Sequence, residues 1–136
     1  MPSIMEWDET LEVHVGKIDE QHKKFINIIK SLHHAIDSDK TKNEEKEVLV
    51  ELIKYTDYHF STENDLMIKY DYPQRENHLS LHTEFTEKLK KFCVKHKEGD
   101  STVSRDMINF LIRWIIHHIM NVDQKLGVFL NKRGVN

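Results

Sequence analysis

The chain has a single cysteine, Cys93, among 136 residues. One thiol forms no internal disulfide and no CxxC zinc or redox motif, and its place on an apolar helical stripe marks it as a packing residue. Glycine (4) and proline (2) are also scarce, which argues against a turn-rich sheet protein. No stretch approaches the roughly 20 apolar residues of a membrane span. The opening residues Met1-Pro2-Ser3-Ile4-Met5-Glu6-Trp7-Asp8 have neither the cationic region nor the apolar core of a secretory leader, so a cytoplasmic location is expected. A basic excess is missing too. A net charge of -3 with histidines neutral offers no broad field for nucleic acid or an anionic membrane.

What remains suits helices. Charged residues make up 32% and hydrophobic residues 38%, the balance of amphipathic helices around one core, and the length fits a single domain, 1–136. The expected fold is all-α: an irregular arm over about 1–18, helices over about 20–37, 42–69, 74–96 and 101–121, and a short helical tail over about 125–130. Asp19 is the expected N-cap of the first helix, which carries Phe25, Ile26, Ile29, Leu32 and Ile36 at helical period. Thr41 with Glu44 reads as a capping box for the second, with Val48, Leu49, Leu52, Ile53, Phe60 and Met67 on one side. Tyr70-Asp71-Tyr72-Pro73 breaks the chain. The third helix then runs His78, His82, Phe85, Leu89, Phe92, His96, a seam spaced alternately four and three. Gly99, Asp100 and Ser101 supply the stop and the cap before the fourth.

Five histidines and two carboxylates fall into four groups, one per expected helix: His22; His59 with Glu63; His78 with His82; His118 with Asp123. In an up-down-up-down bundle the start of the first helix, the end of the second, the start of the third and the end of the fourth share one end. All four groups therefore reach a similar depth, which independent surface histidines have no reason to do. Residues four apart on a helix differ by only about 40°, so His59 and Glu63 face one way, as do His78 and His82. His118 and Asp123, five apart, differ by about 140° on an ideal helix. They converge only if the helix ends, loosens or bulges, so an irregular turn is expected around Asn121 and Val122.

A donor set divided among four helices closes around something held between them, and a metal pair is the natural occupant. If two octahedral ions share both carboxylates and one bridging hydroxide, the five imidazoles bring the filled positions to eleven of twelve and leave one open. Mixed nitrogen and oxygen donors with a vacancy suit a pair of irons; structural zinc fills four tetrahedral positions. Phe60, Trp114, Ile115 and Ile119 flank these groups. Such a dry lining denies protons and water to bound oxygen species and favours reversible binding over turnover. No further acid or base stands among them.

The motifs resemble those of the hemerythrins, specifically the single-domain bacterial ones: Trp7 with Gly16 and Ile18-Asp19-Glu20-Gln21-His22, HxxxE at His59–Glu63, HxxxH at His78–His82, and HxxxxD at His118–Asp123. Each is weak alone; four in this order, over nearly the whole chain, are specific. Known relatives are up-down-up-down bundles. The resemblance implies that His78, His82 and His118 hold one iron, that His22 and His59 hold the other and keep its open position for O2, and that Glu63, Asp123 and an oxo or hydroxo group bridge the two. It also matches Phe60, Trp114, Ile115 and Ile119 to the family's pocket wall.

The expected function is reversible O2 binding by a non-haem diiron protein, a carrier, store or delivery protein and not an enzyme, working as a monomer. One alternative is a module sensing O2, nitric oxide or redox state through a separate partner. The other is a diiron oxidase or iron-handling protein, but those sites use Glu-x-x-His pairs and no ExxH occurs here. His14, His33, His34, His96 and His117 read as solvated or packed side chains, and Tyr70 and Tyr72 as loop packing.

Overall fold

A computed structural model of the chain describes residues 6–38, 41–99 and 102–136. Four long helices, α1 (Gly16–Asp37), α2 (Lys42–Lys69), α3 (Arg75–Lys97) and α4 (Val103–His118), run in alternating directions. α1 and α3 each pack between α2 and α4, which closes a four-membered ring. A five-residue π-turn, Ile119–Asp123, carries α4 straight on into α5 (Gln124–Asn131). Among the described residues there is no strand, and no helix is long and apolar enough to cross a membrane.

The apolar stripes meet on the bundle axis, where Phe25, Leu32, Leu52, Met67, Phe85, Met107 and Leu111 are fully buried. Each such side chain contributes about 1.5–3 kcal/mol of transfer free energy. Ile53, expected on the inner face of α2, is 39% exposed. The inner line of that helix is Leu49, Leu52, Thr56, His59 and Glu63, and Ile53 stands about 100° round from Leu52. Thr41 caps α2 as expected, its hydroxyl accepting from the Glu44 amide at 3.1 Å. The Tyr70 to Pro73 break separates α2 from α3, with Asp71 in the left-handed region at φ 54°.

Helix α1 starts earlier than expected, at Gly16, and Asp19 is not its N-cap. Asp19 lies within the first turn and reaches back, its carboxylate accepting from the amides of Val13 (2.8 Å) and His14 (3.1 Å). It thus fastens the arm to α1. The arm is held from the other side by α5, where Asn131 donates to the His14 carbonyl at 2.8 Å. Gly127 allows that approach: a Cβ there would lie 2.3 Å from the Val13 carbonyl oxygen. The capping candidates Asp100 and Ser101 lie outside the described residues; α4 begins at Val103.

Candidate metal centre

The π-turn decides whether the fourth group closes. In a π-turn the amide bonds five residues back, as that of Gln124 does to Ile119, so residues five apart come onto one face. His118 and Asp123, which an ideal helix would hold apart, thereby meet, the Nε2 atom 3.1 Å from Oδ1. The irregularity expected from the spacing takes this form, and the helix does not end there.

All seven expected donors converge at one end of the bundle, and all are buried. Their atoms form two groups: His78, His82 and His118 with both carboxylates, and His22 and His59 with the same two. The oxygens divide accordingly. Glu63 turns Oε1 to Nε2 of His78 and of His82, both at 3.1 Å, and Oε2 to Nε2 of His59 (3.3 Å) and His22 (3.5 Å). Asp123 turns Oδ1 to His118 at 3.1 Å and His78 at 3.2 Å, and Oδ2 to His22 at 3.0 Å. Each carboxylate thus presents one oxygen to each imidazole group.

These separations test what the cage can hold. Neighbouring donors around an octahedral ion at about 2.1 Å stand about 3.0 Å apart, close to the spacings seen. Many of the contacts are also not hydrogen bonds: Nε2 of His22, His82 and His118, Oε2 of Glu63 and both Asp123 oxygens are buried with no hydrogen-bond partner. A buried polar atom left unpaired costs about 1–3 kcal/mol. So many together, aimed at common points, make a site that a pair of cations would satisfy.

The charges agree. Burial pulls the His22 imidazole down, but contact with Asp123 and Glu63 and their charge outweigh it and raise its pKa to about 9. His78 is raised to about 9 by the same balance. Burial pushes the Glu63 carboxyl up, yet the His59 charge and the His22, His59 and His78 contacts hold it well below the usual carboxylate range. Asp123, raised by burial and by Glu63, is held well below it by His118 and His22. His82 is lowered, chiefly by burial.

Gln21 has a function the sequence reading did not give it. The His59 Nδ1–H donates to Gln21 Oε1 at 2.8 Å, Gln21 Nε2 donates to Thr62 Oγ1 at 3.1 Å, and Thr62 Oγ1 donates to the Tyr58 carbonyl at 3.2 Å. The chain fixes the tautomer that leaves Nε2 of His59 free to ligate. Aromatic rings brace the other ligands. Phe60 stacks on His82 (3.7 Å between centroids, 2° between planes) and Trp114 on His118 (4.2 Å, 12°). Ile115 on α4 and Ile119 at the start of the π-turn lie either side of His118 in the chain, and both are buried. Phe25, read only as core, also stands edge-on to His59 at 5.9 Å.

The other histidines divide. His14, His34 and His117 are exposed, His33 pairs with Asp37 at 3.1 Å, and His96 is buried against Glu45 at 3.0 Å at the opposite end of the bundle. Cys93 is half-buried and free, its thiol pushed up by burial.

Residues 13–130 match the family model described as the hemerythrin HHE cation binding domain. A myohemerythrin from Theromyzon tessulatum is 34% identical over 92% of this chain and 92% of its own length. A bacteriohemerythrin from Pseudomonas aeruginosa is 32% identical over 86% of this chain and 75% of its own. A crystal structure of wild-type hemerythrin superposes with a TM-score of 0.86 at 27% identity, covering 94% of this chain and 98% of that one. The family's cofactor is a pair of iron ions, and this cage of five imidazoles and two shared carboxylates, most of its donor atoms without a hydrogen-bond partner, fits it. The chain belongs to the hemerythrin family.

Proposed function

We propose that the protein binds O2 reversibly at a diiron centre, as a carrier, store or delivery protein, and is not an enzyme. The observation that carries this reading is the uneven sharing of the cage: three imidazoles face one pair of carboxylate oxygens and two face the other. His78, His82 and His118 would hold one ion, His22 and His59 the other, and Glu63 and Asp123 would span both. With equal octahedral demand, the two-histidine ion is the one short of a donor. A bound iron pair would supply the electrons that O2 takes up on binding and would regain them on its release.

The chain's own residues keep that exchange reversible. Burial of every donor removes the water and protons that would let a reduced oxygen species leave. Phe60, Trp114, Ile115 and Ile119 wall the site, and Gln21 holds His59 in its ligating tautomer. Tyr72, an ionisable side chain outside the donor set, stands edge-on to His78 at 6.4 Å between rings. Burial, helped by the Asp123 charge, raises its phenol further above neutrality. It therefore stays protonated at neutral pH and is no base. All seven donors come from one chain, so a monomer completes the site.

The test is iron per chain, followed by the optical spectrum of the reduced protein through oxygenation and degassing. A charge-transfer band that appears with O2 and vanishes on degassing is expected. Irreversible oxidation with continuing peroxide release would instead make the protein an oxidase.

A further inference from the structure

A groove of about 910 Å³ runs between α3 and α4, and none of the seven donors of the cage lines it. Lys88, Lys91 and Lys95 line it from α3 and Arg113 from α4, with Asp106 as the one carboxylate. No ion pair holds any of these four cations among the described residues. On a chain of net charge -3 this is a local reversal of sign. Its floor is aromatic: Phe92, Phe110 and Trp114. The Lys88 ammonium stands over Phe92 at 5.8 Å and Phe110 at 5.5 Å.

Trp114 makes the groove more than a charged surface. One side of the indole lines the groove, and its ring is stacked on His118, a donor of the three-histidine group. Phe85 touches the same indole at 4.3 Å between centroids. A continuous contact of π-systems therefore runs from a basic, half-exposed face to a ligand imidazole.

We infer that the α3–α4 groove is the docking face for an acidic one-electron carrier protein, and that Trp114 and His118 form its electron route to the metal pair. The inference rests on the diiron reading, since an O2 carrier left ferric needs a reductant. Two successive encounters each leave the donor one electron poorer and turn one ferric ion ferrous. Exposed lysines around an aromatic centre fit such a partner, because charge complementarity sets orientation and speed while contact stays brief.

Stopped-flow oxidation of the reduced, iron-loaded chain by hexacyanoferrate(III), an anionic one-electron acceptor, reads the charge at the point of transfer. An anion reacting over the negative surface at large speeds up with salt. At the groove it slows, by about tenfold between about 0.01 and 0.15 M ionic strength. Replacing Lys88→Glu, Lys91→Glu and Lys95→Glu together should reverse that slope while leaving iron content and reversible O2 binding unchanged. Trp114→Leu should lower the rate constant without changing the sign of the slope. Calorimetric titration with flavodoxin, a small acidic flavoprotein, should show binding that the triple lysine variant loses.

A rate that rises with salt, or a slope that survives the reversal, overturns the electron route. Flavodoxin that does not bind, or binds both proteins alike, overturns the protein partner and leaves a small-anion site. A parent chain that holds no iron pair is a failure of the functional reading instead, visible before any oxidant is added.

Discussion

At the end of the bundle away from the cage, His96 meets Glu45 at 3.0 Å and Ser104 donates to the same carboxylate oxygen at 3.2 Å. At the cage end, five imidazoles stand as close to two carboxylates, yet most of the donor atoms have no hydrogen-bond partner. Both ends bury histidine and carboxylate together, and separation alone does not tell them apart. Direction does. The Glu45 group closes on itself, whereas the cage aims its donor atoms at points between the side chains. A buried polar group that satisfies itself serves the fold, and one left unsatisfied in company marks a place for a ligand.

The largest expected effect comes from filling and emptying the cage. Iron at a thousandfold excess over its dissociation constant adds about 4 kcal/mol to folding, worth on the order of 10 °C in melting temperature for a chain of this size. Chelation should remove that amount, as thermal unfolding by circular dichroism would show. Proton linkage gives the sign with pH. His22 and His78, ordinarily at 6.5, are raised to about 9 without metal. Their stabilisation of the metal-free chain is complete below 6.5 and lost as pH rises through about 9. Glu63 and Asp123, held low, contribute above the usual carboxylate range and fail only in stronger acid. Ligation requires neutral imidazole, so iron uptake should release protons and tighten towards about pH 9. Iron uptake without proton release would refute the charge state assigned to the empty cage.

Next in size is Glu63→Gln, which keeps the shape and removes the charge that both imidazole groups share. Stripping one partner from a buried charged set costs about 3–5 kcal/mol. Iron per chain should fall from two to one or none. Retention of both ions with an unchanged spectrum would show that Glu63 does not bridge them. Gln21→Ala ranks below it, since loss of an outer partner of a ligand imidazole costs about 10–100-fold in metal affinity. Gln21→Glu, which keeps an acceptor for the His59 Nδ1–H, should restore most of the loss. A competition titration against a metal-binding dye separates the two variants, and equal affinities would mean that the tautomer of His59 is set by something else.

Sequence reasoning saw the cage end far better than the other. Spacing on a helix fixes rotation and rise, so the shared depth of His22, Glu63, His78, His82 and His118 could be read directly, as could the irregular turn that Asp123 requires. Partners set by packing could not. Gln21 lies 38 residues from His59, and Glu45 lies 51 from His96; nothing local in either segment says that they meet. Asp19 failed for a related reason, because any carboxylate before an apolar run reads as a cap until the path of the arm is known. The α3–α4 groove was invisible because scattered lysines read as a solvated face, and only the crossing of two helices gathers Lys88, Lys91, Lys95 and Arg113 above Trp114.

The smallest effect is also the one that sets the two ends most directly against each other. His82 in the metal-free chain has both ring nitrogens buried without a hydrogen-bond partner, while His96 Nε2 is satisfied by Glu45. Leucine is of similar size to either ring and has no polar atom. His82→Leu therefore removes an unpaid desolvation cost and should stabilise the metal-free chain by about 1 kcal/mol, while abolishing binding of the iron pair. His96→Leu strips Glu45 of its partner and should destabilise by about 1 kcal/mol or somewhat more, with iron content untouched. Urea unfolding of the two metal-free variants reads both signs. Should both substitutions weaken the fold alike, the empty cage would be as self-sufficient as the Glu45 pair, and its orphaned donors would no longer mark a ligand site.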